Sequence, residues 1–185
     1  MTHKLMETEF KNGRVIVKVG DITKETTNAI VNAANKTLLG GGGVDRAIHR
    51  VGGKQILDEC KNIRKTNYPN GLPPGEAIIT SGGNLRTRFV IHTVGPIFGQ
   101  ENGEEERLLA NSYRNSLSLA VENEIKTIAF PAISTGAFYF PKHIAAKVSS
   151  KAIGEFLDSN EFIKQINLVF LSASDVRMFV KHNVF

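Results

Sequence analysis

The chain reads as an α/β protein, a mostly parallel sheet layered with helices. Two observations predict this. Short apolar, β-branched runs alternate with stretches of helical periodicity along the whole sequence, the pattern of strands joined by helical crossovers. Several of the strand candidates also end on glycine or proline, which turn a chain out of a strand. The length of 185 residues is about one domain's worth, so residues 1–185 are expected to form one domain with a sizeable core.

The elements follow in order. RVIVKVG (14–20) alternates β-branched residues and stops at Gly20, and AIVNAAN (29–35) is a second short apolar run. VDRAIHRVGG (44–53) sets Val44, Ile48 and Val51 at i, i+4 and i+7, one face of a helix that Gly52 and Gly53 break. EAIITSGG (76–83) and RFVIHTVGP (88–96) read as strands ending in glycine turns, the second sealed by Pro96. A helix carries Leu108, Leu109, Tyr113, Leu117 and Val121, then KTIAFP (126–131) is a strand. A helix from about Pro141 to Leu157, the strand INLVFL (166–171) and a helical tail complete the series. The Pro/Gly stretch 67–75 is too short to divide domains and reads as a surface loop.

Composition excludes several classes. A hydrophobic content of 41% with 22% charged residues describes an ordinary globular chain. The net charge of +5 slightly favours an anionic ligand, but an ordinary solvated surface also accounts for it. Basic residues are scattered without interleaved aromatics, so no nucleic-acid partner is expected. The single cysteine, Cys60, rules out an internal disulfide and a cysteine cluster for a metal. His3, His143 and His182 show no ligand spacing to one another or to Cys60, so neither metal nor cofactor is expected. No leader and no membrane-length apolar run is present, and a cytoplasmic setting away from membranes is the expectation. The Asn35-Lys36-Thr37 sequon then has no compartment to act in.

The stretch NKTLLGGGGVDRAIHR (35–50) carries four consecutive glycines straight into a helix. Helix N-termini expose unpaired N–H groups and partial positive charge, and glycine lets phosphate oxygens approach them. On glycine content alone, a flexible loop is the default. Two familiar phosphate loops fail: Gly53-Lys54 is followed by Gln55, and Asp45 stands where a dinucleotide fingerprint needs its third glycine. A second loop, FPAISTGAFYFPKH (130–143), passes from a strand through small residues to a helix near Pro141, a residue suited to a first helical position. Two such loops at different strand ends suit a diphosphate. Asp21, just past a strand, serves either as a helix cap or as an acceptor for an exocyclic amine. Asn32 and Asn35 serve either to cap the next turn or to recognise hydroxyls. Asp45 suits a helix's first turn in any case, and His49 and His92 read as structural.

VGDIT (19–23), IVNAANKTLLGGGGVDRAIHRVGG (30–53), PPGEAIITSGGNL (73–85), FVIHTVGP (89–96) and IAFPAISTGAFYFP (128–141) stand in the order and spacing of a macro domain. The resemblance is to the MacroD-type branch and covers nearly the whole chain. It implies a three-layer α/β/α sandwich around a mixed sheet, binding ADP-ribose over the strand ends. In that resemblance Asp21 bonds the adenine amine beside the Ile22 backbone. Gly41, Gly42, Gly43 and Val44 form one phosphate loop; Ser134, Thr135, Gly136, Ala137 and Phe138 form the other, with Phe138 against the distal ribose. Asn32 and Asn35 lie near that ribose, and Asp45 matches the acidic residue of hydrolysis. Arg46, Gly83 and Tyr139 depart from the family pattern, which usually has glycine, tyrosine and glycine at these positions.

The resemblance implies a hydrolase with Asn35 and Asp45 as its catalytic residues. It would release ADP-ribose from acidic side chains of ADP-ribosylated proteins, or acetate from O-acetyl-ADP-ribose, through a positioned water. The competing reading is a module that binds ADP-ribose without turning it over.

Overall fold

The computed structural model describes residues 7–185; His3 lies outside them. Seven strands form one mixed sheet in the order β1-β2-β7-β6-β3-β5-β4. They are β1 (Glu7–Phe10), β2 (Val15–Val19), β3 (Ala29–Ala34), β4 (Ala77–Ser81), β5 (Phe89–Val94), β6 (Thr127–Phe130) and β7 (Gln165–Phe170). The helices are α1 (Gly43–Gly52), α2 (Lys54–Thr66), α3 (Glu105–Glu122), α4 (Lys142–Ser159) and α5 (Ala173–His182). Strands β2, β7, β6, β3 and β5 are mutually parallel, while β1 and β4 close the two edges antiparallel.

Period-two alternation feeds two cores. Val31, Ile91, Ile128, Phe130, Ile166 and Leu168 point to one face and pack with Leu117 of α3, Ile153 of α4 and Phe179 of α5. Ile30, Ala34, Val90, Val94 and Ala129 point to the other and pack with Ile48 of α1 and with Ile56 and Cys60 of α2. The helices thus form two layers around the sheet. Because the five central strands run in one direction, their carboxyl ends share one rim, and the segments after β2, β3, β5 and β6 all start there.

Some details differ from the sequence reading. Helix α2 and strand β1 were not expected. Gly53, at φ +81°, ends α1 and lets α2 start on the next residue, so the glycine pair kinks a helical region rather than stopping it. Val51 lies 37% exposed, off the buried stripe that Ile48 anchors. Pro141 is the N-cap of α4, with an extended ψ of 124°, and Lys142 takes the first helical position.

Candidate active site

The rim is built from four strand ends. After β2, Asp21 caps a single 3-10 turn (Ile22–Lys24), its Oδ1 accepting from the Thr23 amide at 3.0 Å and the Thr23 hydroxyl at 2.7 Å. The Thr23 hydroxyl holds the Asp21 carboxyl below the usual carboxylate range. Asp21 is exposed and Ile22 buried. The capping role is therefore real, and it occupies only one carboxylate oxygen.

After β3, Asn35 organises the glycine loop. Its Oδ1 accepts from the Thr37 amide at 2.9 Å and the Thr37 hydroxyl at 2.5 Å, and its Nδ2 donates to Gly40 O at 3.1 Å. The four glycines divide their work. Gly40, at φ +91°, makes the turn. Gly41 sits where an added Cβ would lie 2.9 Å from Asn35 Nδ2 and 3.1 Å from Asp45 Oδ2. Gly42 is the N-cap of α1 with nothing within 4 Å of where its Cβ would be, and no side chain caps that helix. Gly43 opens α1 at φ +56°, and Val44 follows half-buried. An open helix N-terminus faces the rim.

Asp45 is 3% exposed in the first turn of α1. Its Oδ1 accepts from Asn32 Nδ2 at 2.7 Å, with His49 Nε2 3.3 Å away outside hydrogen-bonding geometry. Its Oδ2 is buried without a partner. Asn32 is fully buried on β3 and also touches His92 Nδ1 at 3.1 Å, leaving its own Oδ1 unpartnered. Buried polar atoms are normally satisfied, so these two unpartnered oxygens mark a place for a ligand or water.

After β6, Ser134 takes φ +64°, a conformation uncommon for a residue with a Cβ, and its buried Oγ has no partner. Gly95, after β5, makes room for it: a Cβ there would come within 2.0 Å of that Oγ. Thr135 folds back on Ala132 O, and the Phe140 amide donates to Ser134 O at 2.9 Å. These internal bonds leave the Gly136, Ala137 and Phe138 amides without a protein acceptor. The Phe98 amide donates to Phe138 O at 2.9 Å, tying a neighbouring loop on.

Arg46 points to solvent. Gly83 has φ +54°, and a Cβ there would come within 2.2 Å of Gly52 O, so the α1–α2 kink occupies the space a tyrosine would need. Tyr139 is 79% exposed at φ +56°.

Sequence spacing missed the cluster behind the site. His49, Cys60 and His92 each bring one ligand-type atom within 4.8 Å of the others. His92 Nε2 is 2.9 Å from Thr80 Oγ1 and 3.8 Å from Cys60 Sγ. Burial pushes the Cys60 thiol up to about 12 and His92 down to about 3. Cys60 is thus a protonated thiol shut in the core, unsuited to nucleophilic attack. The signal was available: β-alternation puts His92 on the face of Val90 and Val94, opposite Asn32 in register.

Residues 31–149 match the family model described as Macro domain. The chain belongs to the macro domain family. It is 53% identical over 162 residues to a "Macro domain-containing protein" of Methanosarcina mazei, covering 87% of this macro domain and 83% of that protein. A protein of Escherichia fergusonii named "O-acetyl-ADP-ribose deacetylase" is 44% identical over 166 residues, covering 90% and 93% of the two chains. The Oceanobacillus iheyensis macrodomain solved with ADP has a TM-score of 0.90 and 45% identity, with coverage of 96% and 93%. The mixed seven-stranded sheet with five helices is the fold of that neighbour.

Proposed function

We propose that this macro domain binds ADP-ribose across the shared rim and hydrolyses esters at its distal ribose. The substrates are mono-ADP-ribosyl aspartate or glutamate on proteins and O-acetyl-ADP-ribose. The observation that carries the reading is the buried Asp45 Oδ2, unpartnered and bordered by the bare Cα of Gly41. The ADP-bound neighbour and the deacetylase name of a relative at 44% identity support the ligand class.

The diphosphate lies between the first-turn amides of α1 and the free amides of Gly136 to Phe138. Asp21 accepts the adenine amine through Oδ2, beside the Ile22 backbone. The distal ribose rests near Phe138, with its hydroxyls toward Asn32 and Asn35. Water fits between Asp45 Oδ2 and the ester, where the carboxylate accepts its hydrogen. Attack forms a bond from the water oxygen to the ester carbon and breaks the bond from that carbon to the leaving oxygen; one water proton passes to the leaving oxygen and the other stays on the oxygen that came from water. A free ribose hydroxyl and a carboxylic acid result. No residue forms a covalent bond to the substrate. Asn35 spends most of its carboxamide on the glycine loop, so its contribution is to hold Gly40 and Gly41 in place and to offer one remaining N–H to the ribose.

The test is product analysis. The protein is incubated with aspartate- or glutamate-ADP-ribosylated protein, and separately with O-acetyl-ADP-ribose. Free ADP-ribose from either supports the reading. Tight ADP-ribose binding with both substrates intact would make this a recognition module.

A further inference from the structure

His92 is fully buried on β5, directly across from Asn32 on β3. Both of its ring nitrogens are engaged, and the partners dictate which carries the proton. Asn32 Nδ2, 3.1 Å from Nδ1, can only donate, so Nδ1 is an acceptor and the ring hydrogen sits on Nε2. That hydrogen points at Thr80 Oγ1, 2.9 Å away, whose own hydrogen goes to Ser81 O at 3.0 Å. The other Asn32 amide hydrogen goes to Asp45 Oδ1 at 2.7 Å. Every donor in this chain is spent. Two acceptors are left over, the buried Asn32 Oδ1 and Asp45 Oδ2.

We infer that His92 is a positioning residue. As a fixed neutral acceptor it locks the Asn32 carboxamide, so that Nδ2 holds Asp45 while Oδ1 is presented to a hydroxyl of the distal ribose. This rests on the ADP-ribose reading for the identity of the hydroxyl, but not for the locking itself. The groups facing the ring are Asp45 and His49 from α1 and Glu59 and Cys60 from α2. Burial is the largest influence on the ring and keeps it neutral down to about pH 3, with His49 acting in the same sense and the two carboxylates against it. Without the ring acceptor, one amide hydrogen is unpaired in the core, and the carboxamide is free to turn. The rival use of the same atoms is a metal held by His49, Cys60 and His92. It requires His92 Nε2 to lose its hydrogen and leave Thr80, so the ring tautomer separates the two.

The experiment pairs His92→Asn with His92→Leu, near-equal in size. Asparagine sets a carboxamide oxygen where Nδ1 stands, whereas leucine offers no acceptor. Three readouts are taken: nitrogen NMR of the imidazoles, hydrogen exchange of the Asn32 side-chain amide, and ADP-ribose affinity with melting temperature alongside. Wild type is expected to show Nδ1 bare and Nε2 protonated from pH 5 to 9, unchanged by added zinc. The Asn32 amide should exchange slowly in wild type and His92→Asn, and fast in His92→Leu. ADP-ribose affinity should be at least fivefold weaker in His92→Leu than in His92→Asn, with the melting temperatures showing that both variants are folded. Equal affinities, equal exchange, or loss of the Nε2 hydrogen on adding zinc would overturn the inference. If neither variant folds, Asn32→Leu leaves the ring in place but removes the donor to Nδ1, and should mix the two tautomers, since the Thr80 hydroxyl can donate as well as accept; an unmixed Nε2–H spectrum overturns it. Failure of the functional reading looks different: wild type does not bind ADP-ribose, or binds it without releasing product, and Asn32 exchange still decides the locking.

Discussion

Replacing Gly41 and Gly42 separately by alanine tests the proposed site at its narrowest point. In Gly41→Ala the new Cβ falls 2.9 Å from Asn35 Nδ2 and 3.1 Å from Asp45 Oδ2, where ordinary contact begins at 3.4 Å. The two side chains must therefore retreat by about 0.5 and 0.3 Å. A misplacement of about 1 Å costs on the order of 10²-fold in rate, so roughly 10-fold, or about 1.4 kcal/mol, is expected in turnover. Gly41 is exposed and its φ is not positive, so the melting temperature should move by no more than about 2–4 °C. In Gly42→Ala nothing lies within 4 Å of the Cβ and φ is −98°, so the ligand-free protein accommodates it without strain. Only a ligand can meet that methyl group. Calorimetry should show ADP-ribose bound at least about 10-fold more weakly, from a wild-type affinity in the micromolar range, roughly −8 kcal/mol. Wild-type affinity in Gly42→Ala would show that no diphosphate lies over the loop. Wild-type single-turnover rates in Gly41→Ala would remove Asp45 and Asn35 from the chemistry.

Asp45→Ala should lower single-turnover rates by about 10²-fold or more while ADP-ribose affinity falls modestly, the separation expected of a group acting on water. Asp21→Ala should cost on the order of 1.5–3 kcal/mol in ADP-ribose binding by calorimetry. It should also cost about 1 kcal/mol of ligand-free stability in urea, because Asp21 caps the 3-10 turn. Stability should depend on pH through His92. Its folded pKa is depressed to about 3 against an ordinary 6.5, so between these values the unfolded chain binds a proton that the folded one refuses. Stability therefore falls on acidification below 6.5, by up to about 1.4 kcal/mol per pH unit from this group. His92→Asn should flatten that limb in denaturant titrations at pH 4–6.5. AMP should bind much more weakly than ADP-ribose, since it reaches only the Asp21 end; equal affinities would sink the two-loop arrangement.

The layers were legible because burial imprints a period on the chain. Ile30, Val31, Val90 and Ile91 read as strand because both faces of a central parallel strand are covered. Strand β1 left no such imprint: it is an edge whose residues are all exposed or half-buried. Helix α2 was hidden differently. Ile56, Cys60 and Ile63 do sit at i, i+4 and i+7, but Gly52 and Gly53 looked like the end of helical structure. Only the +81° φ of Gly53 shows a hinge between two helices. In the site, the residues next to glycines were readable because glycine marks close approach. The division of labour was not. Whether Asn35 spends its amide on its own loop, or Asn32 leaves one oxygen open, depends on which groups stand opposite, and Thr80 and His92 come from strands far along the chain.

Cys60 makes the protein its own opening gauge. It is the only sulfhydryl in the sequence, wholly buried on α2 and set against His92, which in turn touches Asn32. A thiol reagent in solution meets nothing to modify until the α1–α2 layer lifts from the sheet. The labelling rate then counts those excursions, molecule by molecule, without any engineered tag. Because α2 carries the sulfur and α1, just before it, carries both Asp45 and the amides of the glycine loop, a ligand held on the rim is expected to damp the same motion. Slower labelling under ligand would read out how far occupation of the surface stiffens the layer beneath it.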